Sequence, residues 1–314
     1  MLLYLNVKTK LISLSEASLT LAAAFLKNGE PVVFPTETVY GLGAPIYDEK
    51  AIKKIFTIKK RPVDNPLIVH VASWEEALSL CVDPPPAFQV LAHRFWPGPL
   101  TIVLQRHEQV FPIISAGRPT IAIRMPSHPG ALSLIQKTGE PLAAPSANLS
   151  GRPSPTSALD AWEDLKGKTV LILDGGACPI GIESTVISLI ESNPVLLRPG
   201  SISAKEIEET LQMKLRQRTP NTKIDSPGMK YRHYAPQAKI RLVFRREELC
   251  GAFILSPNPQ KGERLLTTQS LYAQFREADR LRESLIEIDC TPQLLSNEAL
   301  MNRILKAANI HSLY

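Results

Sequence analysis

The chain has 314 residues, of which 44% are hydrophobic and 21% are charged, so it is an ordinary globular composition long enough for one large and one small domain. No apolar run approaches the roughly 20 residues of a transmembrane helix, and the first residues, MLLYLNVKTKLISL, lack the features of a signal peptide, so we expect a cytoplasmic protein without a membrane partner. The formal net charge of +6 suits a nucleotide or RNA partner but is equally common in proteins that bind neither.

Helices and strands alternate through the first two thirds of the chain. Ser13-x-x-Glu16 is interpreted as a capping box that opens a helix closed by Gly29, and another helix is predicted to end at Gly139. Further helix starts are predicted at Asp48, Ser73 and Ser203. Strands are predicted at 31–35, 67–71, 101–105, 120–125, 169–174 and 184–190. The pattern indicates an α/β fold, and because some neighbouring strands lack a crossover helix, we expect one mixed sheet.

The composition changes at 216–238, where no helical or strand period survives. After it, 239–244 and 252–257 are predicted strands, and SLYAQFREADRL and NEALMNRILKAAN are predicted amphipathic helices. We therefore divide the chain into a large domain, 1–215, a linker, 216–238, and a small α/β domain, 239–314. The linker is unusual because it carries five adjacent cationic or aromatic side chains: Lys230, Tyr231, Arg232, His233 and Tyr234.

The cysteines are too far apart in sequence to indicate a metal site or a disulfide framework. None of the four forms a CxxC pair, and reduced thiols in the cytosol fit this spacing best. The four are Cys81, Cys178, Cys250 and Cys290.

Three polar segments follow predicted strands or helices. In PTETVYGLGAP, 35–45, a strand gives way to a Thr- and Gly-rich loop, and in α/β sheets ligands bind beyond strand ends. In KKRPVDNPLIVH, 59–70, two cations end a helix, where they can cap it or bind phosphate. APSANLSGRPSPT, 144–156, is a donor-rich loop with no GxSxG elbow, so a serine nucleophile is not indicated. Each segment taken alone is equally well explained as a turn or a cap.

Taken together and in this order, these segments resemble the threonylcarbamoyl-AMP synthase family, which has a YrdC-type domain. The resemblance runs through PTETVYGLG, KxRP with NPLIVH, FWPGPLTIVL, IAIRMPSHP, APSANLSG, ESTV and LRPGSIS, over about residues 15–205. The linker ending in HYAP and the terminal NEALMNRILKAA resemble the two-domain form of the family. The resemblance implies a large YrdC-type domain with a twisted mixed sheet flanked by helices, and a small Rossmann-like α/β C-terminal domain.

The resemblance also implies a reaction and a set of site residues. ATP, L-threonine and bicarbonate would give threonylcarbamoyl-adenylate and pyrophosphate, with Mg²⁺ accompanying ATP and no protein metal site, for the N6-threonylcarbamoyladenosine modification of tRNA position 37. Residues implied in catalysis are Lys59, Arg61, Ser146 and Asn148. Residues implied around threonine are Thr38, His70, Arg124, Ala144 and Ser184. Residues implied at ATP are Arg61, Asn65, Thr120, Ser146, Ser154, Arg198 and Tyr234.

The resemblance gives the linker a function, because in two-domain members this segment folds over the active site. We expect a lid in which Tyr234 meets the nucleotide and Arg232 or Lys230 meets phosphate; the alternative is a linker that only packs on the large domain. Two other readings stay open. One is an RNA-binding protein without catalysis, and the other is a carbamoyl-adenylate synthase of a different pathway. A transferase partner and weak direct contact with tRNA are also left open.

Overall fold

The computed structural model describes residues 9–168, 171–217 and 233–310. The strands of the large unit are β1 (Lys10–Ser13), β2 (Val32–Phe34), β3 (Gly41–Pro45), β4 (Ile68–His70), β5 (Leu100–Gln105), β6 (Thr120–Arg124), β7 (Leu142–Ala143), β8 (Leu171–Asp174), β9 (Thr185–Ser188), β10 (Val195–Arg198) and β11 (Arg216–Gln217). Its helices are α1 (Glu16–Lys27), α2 (Glu49–Lys59), α3 (Trp74–Ser79), α4 (Pro86–Phe95), α5 (Pro129–Thr138), α6 (Ala158–Leu165) and α7 (Ala204–Leu211).

The small unit has its own sheet and helices. Its elements are β12 (Lys239–Val243), β13 (Ile254–Ser256), β14 (Arg264–Leu265), α8 (Leu271–Leu281), β15 (Leu285–Asp289), α9 (Pro292–Leu295) and α10 (Glu298–Ala308). The four strands are all parallel, in the order β12-β15-β13-β14. This arrangement confirms the expected small α/β domain.

The large sheet is mixed, as the sequence predicts. Its order is β1-β8-β2-β3-β7-β4-β6-β5-β9-β10-β11. The pairs β4–β6 and β5–β9 are parallel, whereas β3–β7 and β5–β6 are antiparallel. The strand predicted at 169–174 is β8, which begins at Leu171 because the two residues before it lie outside the described residues.

Helices cover both faces of the large sheet. Apolar side chains of α2, α4 and α6 pack on one face, and those of α1 and α5 pack on part of the other. Side chains alternate along each strand, so Val69 joins the first core while His70 lies on the opposite face, together with Arg124 of the adjacent β6. This second face carries the candidate site beyond the area that α1 and α5 cover.

Two details differ from the sequence prediction. The first helix is capped by Ser15 and not by Ser13, because Ser13 is the last residue of β1, which pairs in parallel with β8. The segment Gly41–Pro45, predicted as loop, is a strand antiparallel to β2. Glycine is a poor strand former, but at position 43 it is required sterically, since a Cβ there would lie 2.6 Å from the Phe34 ring.

Candidate active site

The candidate site is a cavity lined on one side by His233 and Tyr234, at the described end of the linker. Nine predicted site residues line it: Thr38, Arg61, His70, Arg124, Ala144, Ser146, Ser184, Arg198 and Tyr234. Eight of them come from the loops that follow β2, α2 and β7, from the segment before β9, and from the ends of β4, β6 and β10, and the ninth, Tyr234, comes from the linker. The enclosed volume is about 60 Å³, which is far below the several hundred Å³ of a typical small-molecule site. In this arrangement the cavity has no room for a nucleotide.

The residues implied around threonine are organised by Arg124. Its side chain is 3% exposed at the end of β6, where Nη1 donates to Thr38 Oγ1 over 2.8 Å and Nε donates to the Gly98 carbonyl over 3.2 Å. Its Nη2 lies 2.7 Å from Glu37 Oε1 in a buried ion pair. These contacts fix the guanidinium plane at the cavity wall.

The electrostatic state of this end of the cavity follows from that pair. Burial would raise the pKa of the Glu37 carboxyl, but the charge and hydrogen bond of Arg124 outweigh burial and hold that pKa below its usual value. Burial and the positive charge of Arg124 lower the pKa of His70 to about 3. His70 is therefore a neutral imidazole near pH 7 and contributes hydrogen bonding rather than charge.

Lys59 lies behind the cavity rather than in its wall. Its ammonium is 1% exposed and donates to the backbone carbonyls of Ser146 and Asn148. Burial, and next the positive charge of Arg61, hold the pKa of Lys59 well below its usual range. The Ser146 hydroxyl donates to Asn148 Oδ1 over 2.5 Å. Lys59 and Asn148 therefore shape the loop that presents Ser146 to the cavity.

Arg61 lines the cavity and is held by the turn that follows it. Nε donates to the Asn65 carbonyl over 3.2 Å, and Nη2 donates to the Pro66 carbonyl over 2.7 Å. Its Nη1 makes no hydrogen bond to any residue that the structure describes. Burial lowers the pKa of Arg61 to about 10, so the group remains charged at neutral pH.

The opposite wall is built around Arg198 and Glu183. Arg198 donates to the Ser184 carbonyl and hydroxyl, over 3.0 and 3.2 Å, and to the Tyr234 hydroxyl. The Ser154 hydroxyl donates to Glu183 Oε1 over 2.5 Å. Burial would raise the pKa of Glu183, but the nearby positive charges, first of all Arg303, lower it to about 2. Glu183 is thus a carboxylate at neutral pH.

Three predicted residues, besides Lys59 and Asn148, do not line this cavity. Asn65 offers its carbonyl to Arg61, and Ser154 lies behind Glu183. Thr120 lines a smaller neighbouring cavity that shares Pro66 with the first.

Sequence reasoning missed several residues of the site. Glu183, which lines the cavity, belongs to the ESTV segment, in which only the hydroxyl-bearing Ser184 was predicted to be a site residue. His233 also lines it, beside Tyr234. No motif marks Arg303 and Tyr272, which contact Glu183 from the small unit, because they are ordinary positions in amphipathic helices.

Comparison with known proteins identifies the family. A family model described as telomere recombination, of the Sua5, YciO and YrdC proteins, matches residues 24–200. A second model, described as the C-terminal domain of threonylcarbamoyl-AMP synthase, matches residues 202–266. The chain belongs to the threonylcarbamoyl-AMP synthase family.

Individual members of this synthase family are similar over most of the chain. The threonylcarbamoyl-AMP synthase of Bacillus subtilis is 40% identical over 327 aligned positions, covering 95% of this chain and 94% of the relative. That of Pyrococcus abyssi is 49% identical over 247 aligned positions, covering 77% of this chain and 72% of the relative. The structure of Pyrococcus abyssi Sua5 complexed with L-threonine superposes with a TM-score of 0.89 at 40% identity, covering 96% and 98% of the two chains.

Two further features of the synthase chain bear on partners. In the part that the structure describes, no helix has the length and apolar character needed to cross a membrane. Among residues 9–168, 171–217 and 233–310, no group of three or more His, Cys, Asp or Glu side chains could hold a metal ion.

Proposed function

We propose that the chain condenses L-threonine, bicarbonate and ATP into threonylcarbamoyl-AMP and pyrophosphate, as a nucleotidyltransferase of tRNA modification. The observation that carries the proposal is that one cavity holds two sets of side chains. Arg61 and Arg198 suit phosphate, whereas Thr38, Arg124 and Ser184 suit a small hydroxyl-bearing amino acid. Similarity to the Sua5 structure complexed with L-threonine supports the second assignment.

The reaction forms two new bonds, from nitrogen to carbon and from oxygen to phosphorus. Bicarbonate takes up a proton and loses water to give CO₂. The threonine nitrogen attacks the carbon of this CO₂ and loses a proton, which gives a carbamate. A carbamate oxygen then attacks the α-phosphorus of ATP, and the bond from that phosphorus to pyrophosphate breaks. The protein mainly has to position the reactants and stabilise phosphate charge, so it needs no nucleophile–base pair.

The described residues fit these tasks. Arg124, held by Glu37 and Thr38, offers a fixed guanidinium to the threonine carboxylate. His70, neutral at pH 7, leaves that end of the site without a second positive charge. At the other end, the free Nη1 of Arg61 is available for phosphate within the described structure, and Ser146 adds a hydroxyl.

Mg²⁺ would enter with ATP, coordinated chiefly by the phosphates. The buried carboxylates of Glu183, in the cavity wall, and of Glu37, which pairs with the cavity residue Arg124, are each held by an arginine, and this arrangement suits an ion brought by the substrate better than a resident one. Its role would be to neutralise phosphate charge during the attack at phosphorus.

We further propose that the linker is a lid. His233 and Tyr234 line the cavity, and Tyr234 is 4% exposed, so both must move to admit ATP into the present small volume. Closure would then keep water from a labile adenylate. The predicted phosphate contacts of Lys230 and Arg232 lie outside the described residues.

The proposal is tested by pyrophosphate release from the purified full chain with ATP, Mg²⁺, bicarbonate and L-threonine, omitting each in turn. We expect release that requires threonine and bicarbonate together. ATP turnover indifferent to threonine would contradict the substrate assignment. Salt-dependent tRNA binding by well-folded protein without any turnover would favour the RNA-binding alternative, which the net charge of +6 permits.

A further inference from the structure

Two buried arginines of the small unit contact the large unit. Arg276 of α8 and Arg303 of α10 are the largest fully buried side chains among the residues described, at 1% and 0% exposure. Arg276 pairs with Asp164 over 3.1 Å and donates to the Pro153 carbonyl over 2.6 Å. Asp164 in turn accepts from the backbone of Leu149, in the loop that carries Ser146. The first arginine therefore supports one wall of the cavity indirectly.

Arg303 reaches the opposite wall more directly. Its Nε donates to Glu183 Oε2 over 2.8 Å, its Nη2 donates to the Glu183 carbonyl over 3.1 Å, and its Nη1 donates to the Pro199 carbonyl over 2.9 Å. The hydroxyl of Tyr272, on α8, donates to the same Oε2 over 2.9 Å. The other carboxylate oxygen accepts from Ser154, a predicted ATP residue. The small unit thus fixes the carboxylate that orients Ser154.

The same arginine also contacts the linker. Its guanidinium carbon lies 5.5 Å from the centroid of the Tyr234 ring, and that ring lies 5.6 Å from the ring of Tyr272. Tyr234 belongs to the apolar core of the small unit, which also includes Val39 and Ile182 of the large unit. The residue after Thr38 and the residue before Glu183 are therefore both packed against the small unit.

A contact made only to join two units would not need this ion pair. Removing Arg303 and Glu183 from water has a desolvation penalty that a well-packed apolar contact avoids, and such a contact is already present in the shared core. Glu183 lies in the cavity wall, and one guanidinium makes two donations to it, one to its side chain and one to its backbone, and a third to the Pro199 carbonyl. This is the pattern of groups that hold a site in one geometry.

We propose that Arg303 of the small domain is a positioning residue for adenylate synthesis, which holds Glu183 so that Ser154 is correctly placed for ATP and the adjacent Ser184 for threonine. The small domain then completes the active site of the large one. This inference rests on the proposed function, and it assigns the domain a part in turnover rather than in folding alone.

The test compares variants of the full chain in the same pyrophosphate assay. Arg303→Gln should lower kcat/KM for ATP about 100-fold, the effect of a displacement of about 1 Å at a reacting site. Arg280→Gln is the matched control, because Arg280 also joins the two units, through Asp160 and Glu163, but does not line the cavity. It should change kcat/KM by less than about threefold, within the range typical of partly exposed ion pairs.

Combination with Glu183→Gln separates positioning from general destabilisation. If Arg303 acts through Glu183, Arg303→Gln should add less than about threefold to the effect of Glu183→Gln, whereas independent effects would multiply. If Arg303→Gln does not fold, Tyr272→Phe can replace it in the double-mutant cycle with Glu183→Gln. This substitution removes one hydroxyl and keeps the ring.

The outcomes are distinct. Two results, each with normal wild-type turnover, would overturn the inference and leave the proposed function standing. In the first, Arg303→Gln is as active as Arg280→Gln. In the second, the losses of kcat/KM multiply in both double-mutant cycles with Glu183→Gln. No wild-type turnover would overturn the proposed function itself.

Discussion

Replacing Arg61 with alanine should abolish most adenylate formation while leaving the fold intact. In the structure, Arg61 uses two nitrogens to hold the carbonyls of Asn65 and Pro66, and its Nη1 is without a described partner. We expect that nitrogen to donate to a phosphate oxygen of ATP. The substitution then removes both the donor and its orientation.

The expected size of the effect follows from charge-assisted hydrogen bonds, which contribute about 1.5–3 kcal/mol each. Losing one or two at the phosphates should reduce kcat/KM for ATP by about 10- to 10⁴-fold, since each 1.4 kcal/mol is a factor of ten. Stability should fall much less, by about 1 kcal/mol, because Pro66 lines the cavity and water can replace the donor at its carbonyl.

The assay is steady-state pyrophosphate release over a range of ATP concentrations, with thermal unfolding of each variant. Arg61→Lys keeps the charge but loses the planar fork, so it should recover only part of the activity. Lys60→Gln removes the same charge from the adjacent exposed residue, which does not line the cavity, and should leave kcat/KM within about twofold. Near-normal turnover of Arg61→Ala, or equal losses in Arg61→Ala and Lys60→Gln, would show that Arg61 does not bind the ATP phosphates.

Three further predictions concern the lid, the buried histidine and the domain contact. Tyr234→Phe removes the hydroxyl that accepts from Arg198. The ratio of intact adenylate to pyrophosphate released, with the adenylate measured by mass spectrometry, should therefore fall about tenfold. An unchanged ratio would contradict the lid. The pKa of His70 is about 3 in the folded chain and about 6.5 in the unfolded chain, so the unfolded chain binds the proton first as the pH falls. The free energy of unfolding should therefore fall by about 1 kcal/mol per pH unit from pH 6.5 towards 3. His70→Asn should flatten this slope, which denaturant titration at each pH measures. At Gly181, where φ is +82°, a Cβ would lie 2.4 Å from Gln269 Cα of the small unit. Gly181→Ala should therefore destabilise the chain by several kcal/mol more than the control Gly139→Ala, where φ is +83° and the space is open. Equal losses of unfolding free energy in denaturant would contradict the steric clash.

Local sequence signals predicted those elements whose capping and period agree with the tertiary structure. Asp48, Ser73 and Ser203 cap helices as predicted, and Gly139 ends α5 in the left-handed conformation. The signals failed where a non-local partner decides the structure. Ser13 looks like a cap but pairs with β8, a strand far along the chain, and Gly43 looks like loop but is needed next to Phe34.

The site shows the same division. The motifs and their order along the chain predicted nine residues that line one cavity in the structure. It could not distinguish residues that line the cavity from those one layer behind, such as Lys59, whose contacts are to backbone carbonyls. It also could not reveal Arg303, because the reason for that arginine is Glu183, 120 residues away along the chain.

Whether threonine, the bicarbonate carbon and AMP are joined in one product can be measured with ¹³C-labelled bicarbonate. The purified chain is incubated with ATP, Mg²⁺, L-threonine and the labelled bicarbonate, and the mass of the adenylate is measured by mass spectrometry. We predict an adenylate that contains threonine and is heavier by the one labelled carbon. An adenylate without the label, or AMP formed without threonine, would contradict it.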